Sequence, residues 1–172
     1  GIEVDDIDAV VLSHLHFDHV GGAQAFRGTP IYVQRAEWEA AQELKYTIPE
    51  WLTFPGANFV MLDGDAELAP GLHLVLTAGH TPGHQVLSID SSGERALISG
   101  DLVNHPAQLL QPGLASATDM DPELADATRE AWLERIEREG RIVAPAHFAE
   151  PFGTITSDGD GRRWEPLVHG SG

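Results

Sequence analysis

Three histidines and an aspartate fall within six residues, His14, His16, Asp18 and His19 in "SHLHFDHVGG", directly after the apolar run "AVVL". In extended backbone, side chains two residues apart project to the same side, so His14 and His16 can grip one ion together. Asp18 and His19 follow where the chain turns and can face a second ion beside the first. Imidazole and carboxylate donors suit zinc or a similar divalent transition metal. The chain has no cysteine, which removes disulfides, zinc–thiolate sites and thiol nucleophiles, so any metal must be held by nitrogen and oxygen.

A histidine-rich turn can also be nothing more than polar surface. What favours a metal site is that the rest of the chain supplies more donors of the same kind, each just past an apolar run. His80 follows "LVLTAG", Asp101 follows "LISG" and His147 follows "IVAPA". Strand ends hold ligands more rigidly than loops do. His84, which opens "HQVLSI", competes with His80 on spacing alone. His73 inside a strand and His169 in the tail read as structural.

The elements that must position these donors are short. Asp8 to Ser13 reads as a strand buried on both faces. "GGAQAF" can start a short helix, "PIYVQ" is a second strand, and Arg35 to Leu44 has helical composition with Trp38, Ala41 and Leu44 at helix spacing. Tyr46 to Asn58 reads as a surface loop. "FVML", "LHLVLTA", "QVLSID" and "RALIS" read as consecutive strands, the last two joined by "SSGE". Asp121, Pro122 and Gly140 bracket a helix as N-cap, first residue and stop, with Leu124, Ala131, Trp132 and Ile136 on its buried face. "RIVAPAH" is another strand, "DGDG" marks a hairpin in the tail, and the closing "HGSG" should fray.

Length and charge bound the rest. A chain of 172 residues, 42% hydrophobic and 22% charged, suits one globular domain over residues 1–172. Its 27 acidic and 10 basic residues give a formal charge of −17, the wrong sign for nucleic acid or an anionic membrane. Two divalent cations would leave most of that excess uncompensated, so it belongs mainly to a solvated surface. No apolar run is long enough for a membrane span and no signal peptide is evident, so the expectation is a soluble chain, cytoplasmic rather than secreted.

The ligand pattern His14, His16, Asp18, His19, His80, Asp101, His147, in that order, resembles the metallo-β-lactamase-fold hydrolase superfamily. Together with "TPGHQVLSI" and "PAHFAEPFGTITSDGDGRRWEPL", it is similar to the subgroup of N-acyl-homoserine lactonases and methyl parathion hydrolase-like enzymes. The resemblance implies an α/β fold, an αββα sandwich, here without the strands that usually precede the histidine motif. An open strand edge of that kind would favour self-association, for instance as a homodimer. It also implies two metal ions, most simply zinc, with His14, His16 and His80 at one, Asp18, His19 and His147 at the other, and Asp101 bridging. In such enzymes a metal-bridging hydroxide attacks a lactone, ester or phosphotriester, and Asp18 would orient it or take its proton. His84 then falls to a supporting role. A glyoxalase II-like thioesterase and a catalytically silent metal-binding domain are the rivals. A nucleic-acid-processing member is disfavoured by the charge.

For the substrate pocket the candidates are Asn104, His105 and Phe148. Trp38, Trp51 and Phe54 can extend an apolar wall or simply fill the core. Lactonases of this kind carry a tyrosine three residues after the bridging aspartate, whereas this chain has Asn104, and an amide cannot protonate a leaving alkoxide. Asn104→Tyr is therefore expected to raise lactone turnover by up to about tenfold, equivalent to about 1.4 kcal/mol of barrier, with metal content barely changed. Steady-state kinetics on a lactone series check this, and a fall on every lactone contradicts it.

Overall fold

Runs of β-branched and large aliphatic residues pair into two sheets. In the computed structural model, which describes residues 1–159 and 161–167, β1 (Val10–Val11), β2 (Ile31–Gln34) and β3 (Phe59–Leu62) form a parallel sheet in that order. The second sheet holds β4 (Ala66–Ala69), β5 (Leu72–Leu76), β6 (Gln85–Ser91), β7 (Glu94–Gly100), β8 (Ile142–Pro145), β9 (Gly153–Asp158) and β10 (Gly161–Pro166). Its spatial order is β10-β9-β8-β7-β6-β5-β4, antiparallel except where β7 pairs parallel with β8. That parallel pair needs a crossover, and the chain between carries the one-turn α3 (Ala107–Leu110) and the long α4 (Pro122–Glu139).

Each sheet has its own core. Ile31 and Val33 of β2 pack with Leu12, Leu15, Val20 and Ala41, the last from α2 (Arg35–Leu44). Val86, Leu97, Val143 and Ile155 of the second sheet pack with Trp132, Leu133 and Ile136 of α4. The helices thus cover the outer faces and the two sheets face each other, the layering expected of an αββα sandwich. Between the sheets lies a cavity of about 190 Å³ lined by Val11, Leu87, Ile98 and Ala144 among others. The sheets are also tied by two buried amides. Gln34 Nε2 donates to Gln85 Oε1 (2.9 Å) and to Gly64 O, while Gln85 Nε2 donates to Leu12 O and Tyr32 O. Gln34 Oε1 accepts from Gly64 N, so the hydrogen-bonding groups of both amides are occupied.

Several elements differ from the sequence reading. The strand expected over Asp8 to Ser13 pairs only at Val10–Val11, because the chain leaves the sheet to build the histidine turn. "GGAQAF" gives a 3-10 turn at Ala23–Ala25, and the loop after α2 contains another at Pro49–Trp51. Strand β4 and the one-turn helices α1 (Phe17–Val20) and α3 carry no strong sequence signal. Helix α4 starts on an Asp121 side chain accepting from Leu124 N and stops at Gly140, as expected. Its buried face, however, is Ala125, Arg129, Trp132, Leu133 and Ile136; Leu124 and Ala131 are exposed. The "SSGE" turn is a two-residue hairpin loop with Ser92 and Gly93 both at positive φ, and Gly161 pairs with Asp158 across the tail hairpin. Trp38, Trp51 and Phe54 belong to the first sheet's core. "HGSG" and His169 lie outside the described residues. Among those described, no helix is long and apolar enough to cross a membrane.

The start of α4 is pinned to the loop that carries His80. Met120 N donates to His80 O and Asp121 N to Gly79 O (3.0 Å each), and Thr128 Oγ1 donates to Ala78 O (2.8 Å). Gly79 makes this approach possible: its φ is +136°, and a Cβ there would lie 2.4 Å from the backbone of Ala125. Gly79→Ala is expected to destabilise the fold by roughly 2–4 kcal/mol through strain and overpacking combined. Urea unfolding measures it, and an unchanged midpoint would show that α4 is not seated as described.

Candidate metal centre

The turn after β1 closes through backbone bonds from His19 N and Val20 N to His16 O. His16, extended at φ −61° and ψ 151°, is the N-cap of α1, and that single turn carries Asp18 and His19. His80 stands in the loop between β5 and β6, Asp101 directly after β7, and His147 just after β8, the parallel neighbour of β7. The first sheet therefore presents four donors and the second sheet three.

They converge. His16 Nδ1 lies 2.9 Å from His14 Nε2 and 3.1 Å from His80 Nε2. His80 Nδ1 lies 2.9 Å from Asp119 Oδ1. A carboxylate only accepts, so the proton of a neutral His80 sits on Nδ1 and its Nε2 lone pair is bare. On the other side, Nε2 of His19 and Nε2 of His147 are each 3.6 Å from Asp18 Oδ2. Asp101 stands between the groups, with Oδ2 3.4 Å from His80 Nε2 and 3.2 Å from His147 Nε2, and Oδ1 3.1 Å from His19 Nε2. Three donor sets each lie within 4.8 Å: His14, His16 and His80; His14, His19 and Asp101; Asp18, His19 and His147.

Two observations match this arrangement to cations. His19 Nε2 and Asp101 Oδ1 are buried and close, yet neither has a hydrogen-bond partner of acceptable geometry among the described residues. The electrostatics also favour bare nitrogen. Burial and then the neighbouring imidazoles push His14 well below its usual value; burial, then His80, brings His16 to about 4. Burial alone would raise Asp101, but contact with His19 and the charges of His19, His80 and His147 hold it at about 2. Burial would lower His19, yet Asp101 and Asp18 raise it. Near neutral pH the centre thus presents unprotonated His14 and His16 nitrogens facing an ionised Asp101.

His84 does not join the cluster. It accepts from Asp101 N through Nε2 (3.0 Å) and meets Thr77 Oγ1 through Nδ1 (2.7 Å), so it orients the backbone that carries Asp101. Gly100, at φ +50°, lets that backbone pass: a Cβ there would lie 2.6 Å from Ser13 Cβ and 2.9 Å from His84 Nε2.

The residues expected to line a substrate pocket separate. Asn104 Nδ2 donates to Asp101 Oδ2 at 2.7 Å, which puts it at the centre, and its Oδ1 is buried without a partner among the described residues. His105 is exposed and its Nδ1 accepts from Ala107 N, a cap on α3. Phe148 is half-buried against Trp164, ring centroids 4.9 Å apart, beside the α4 core.

Sequence reasoning missed the supporting groups. Ser13 Oγ lies 3.1 Å from His14 Nδ1 and 3.4 Å from His19 Nδ1. Asp119, which holds His80, is itself held by the buried Arg129, whose Nε also donates to Leu102 O, next to Asp101. Glu37 and Tyr46 stand behind the histidine turn. Only Glu37 carried a usable signal, a carboxylate one helical turn before the buried Ala41.

Burial first, then the neighbouring His80, depresses His84 to about 3. A histidine with a folded value below its unfolded one contributes stability that is full above about 6.5 and is lost as pH falls towards the folded value. His14 and His16 act in the same direction, and the raised His19 acts in the opposite one. Metal-free protein is therefore expected to lose on the order of 1 kcal/mol per pH unit for each of these depressed histidines between about pH 6 and 4. His84→Gln should flatten the slope. Denaturant titrations at stepped pH check both, and a flat profile across that window contradicts them.

Comparisons with known proteins identify the family. N-acyl homoserine lactonases from Bacillus thuringiensis and from a Bacillus species are 36% and 50% identical to the chain over 150 residues, which cover 87% of this chain and 59% of each relative. The chain thus spans about 59% of the length of these curated relatives. A solved N-acyl homoserine lactone hydrolase, with the product N-hexanoyl-L-homoserine at its catalytic metal centre, superposes with a TM-score of 0.74 at 36% identity. That match covers 86% of this chain and 58% of the other. A dizinc quorum-quenching lactonase shares the fold at a TM-score of 0.84 and 22% identity, over 98% of this chain and 67% of that one. Residues 1–147 match the family profile through every proposed donor, and the chain belongs to the metallo-beta-lactamase superfamily.

Proposed function

We propose that this chain carries the catalytic centre of a dinuclear metal-dependent hydrolase that opens lactones or related esters, with N-acyl homoserine lactones as the first substrates to try. The observation that supports this best is that His19 Nε2 and Asp101 Oδ1, buried and 3.1 Å apart at the middle of seven converging donors, have no hydrogen-bond partner of acceptable geometry among the described residues. His14, His16 and His80 would hold one divalent ion, Asp18, His19 and His147 the other, and Asp101 would reach both. A donor set of nitrogen and oxygen alone suits zinc. Such ions, when bound, would supply Lewis acidity to activate a water and to polarise the group under attack.

The chain's own residues do the rest. Asp18 and His147 are the exposed members of the set and mark the side open to substrate. Asp18, a carboxylate open to solvent, orients the attacking water and accepts its proton, then returns it to the leaving alkoxide. Asn104 donates its amide to Asp101 Oδ2 and stands beside the centre. No serine or thiol nucleophile is needed, and the chain has no thiol.

The expected result is about two transition-metal ions per chain, falling on His14→Ala and on His147→Ala, with ring opening of acyl homoserine lactones faster than hydrolysis of glutathione thioesters or phosphotriesters. Metal analysis with a four-class substrate panel measures this. Two bound ions with no turnover would favour a silent binding domain, preference for glutathione thioesters a thioesterase, and a folded chain that takes up no metal would end the reading.

A further inference from the structure

Glu37 is a buried carboxylate on α2 with 0% exposure, and no ion pair among the described residues includes it. A buried carboxylate without a cation costs several kcal/mol unless donors replace its water. Three donors do so. Oε1 accepts from Leu15 N at 2.8 Å and from the Tyr46 hydroxyl at 2.9 Å, and Oε2 accepts from Gly83 N at 3.0 Å.

The identity of these donors is informative. Leu15 is the residue between His14 and His16. Gly83 lies in the loop that carries His80 and immediately precedes His84, whose ring holds Asp101. Tyr46 presents its ring edge-on to His16, centroids 5.2 Å apart. The two loops come from different sheets and meet through one side chain. Gly83 is fitted to the contact, because a Cβ there would lie 2.3 Å from Glu37 N and 2.4 Å from Glu37 Cβ.

We infer that Glu37 is a positioning residue that clamps the His14–His16 turn and the His80 loop at the separation one shared cation requires. The inference rests on the two-metal reading above. A carboxylate suits this because it accepts on both oxygens; a carboxamide of the same size accepts on one and turns an N–H against the other loop's N–H.

The test is Glu37→Gln, read by zinc affinity in competition with a chromophoric chelator, beside thermal unfolding of the metal-free protein. The expected result is a folded variant whose tighter zinc affinity falls about 10- to 100-fold, the range for lost support behind a metal-binding histidine. A role confined to seating α2 would lower the unfolding temperature and leave the affinity of the folded protein alone. A folded variant within twofold of the parent affinity therefore overturns the clamp, whatever its stability. If the variant does not fold, amide hydrogen exchange of the metal-free parent decides. Protection at Leu15 and Gly83 comparable to that of strand β6 supports the clamp, and exchange at exposed-loop rates overturns it. A parent chain that binds no zinc defeats the two-metal reading instead, whereas a parent that binds two ions and a variant that matches it defeat the clamp alone.

Discussion

Lone pairs aimed at one point must be held there by groups other than themselves. His14 Nε2, His16 Nδ1 and His80 Nε2 lie about as close as hydrogen-bonded atoms, and in the tautomers that turn all three lone pairs to one cation nothing between them attracts. The opposing forces are applied from behind. Ser13 faces the far nitrogen of His14, Asp119 that of His80, and Arg129 holds Asp119 while also gripping the carbonyl beside Asp101. Much of the crossover between β7 and β8 can be understood as backing for this one cluster. Helix α4 buries an arginine in the middle of its apolar face for the same reason.

That arrangement explains why two separate cores are tolerated. A single apolar core would place the sheets in direct aliphatic contact and leave no room for polar groups at their shared end. Here the aliphatic packing lies on the outer faces, under α2 and α4, and the inner faces meet partly through buried amides, a serine and a glycine. Such polar contacts are costly when incomplete and specific when complete. Gly100 and Gly83 mark the places where backbone, not side chain, had to approach.

The convergence of the candidate donors was legible in the sequence because metal chemistry restricts residue type and strand ends restrict position. All seven chosen donors come together, and His84 turns away to Asp101 as a supporting group. The strand and helix order was legible through apolar runs and through the Asp121–Pro122 and Gly140 boundaries. What could not be read is whatever depends on long-range packing. The polar Arg129 stands on a buried face where Leu124 was expected, because its partner Asp119 lies in a loop with no periodicity. The first strand shrinks to two residues because the site claims its last two. Asn104 was a candidate for the substrate pocket, and only the folded positions reveal its bond to Asp101.

The paired amides of Gln34 and Gln85 also constrain how a chain of this kind can change over generations. The two side chains bond each other, Gln34 also bonds Gly64 in the connection between β3 and β4, and Gln85 bonds the backbone of Leu12 and Tyr32 in the opposite layer, so a mutation at either position alone leaves a buried donor or acceptor unmatched, at about 1–3 kcal/mol. Against a total stability of only about 5–15 kcal/mol, that is a steep single step. Drift at the two sites is therefore coupled: the route from one amide pair to an apolar pair runs through a disfavoured intermediate, and the two layers inherit their seam as a unit.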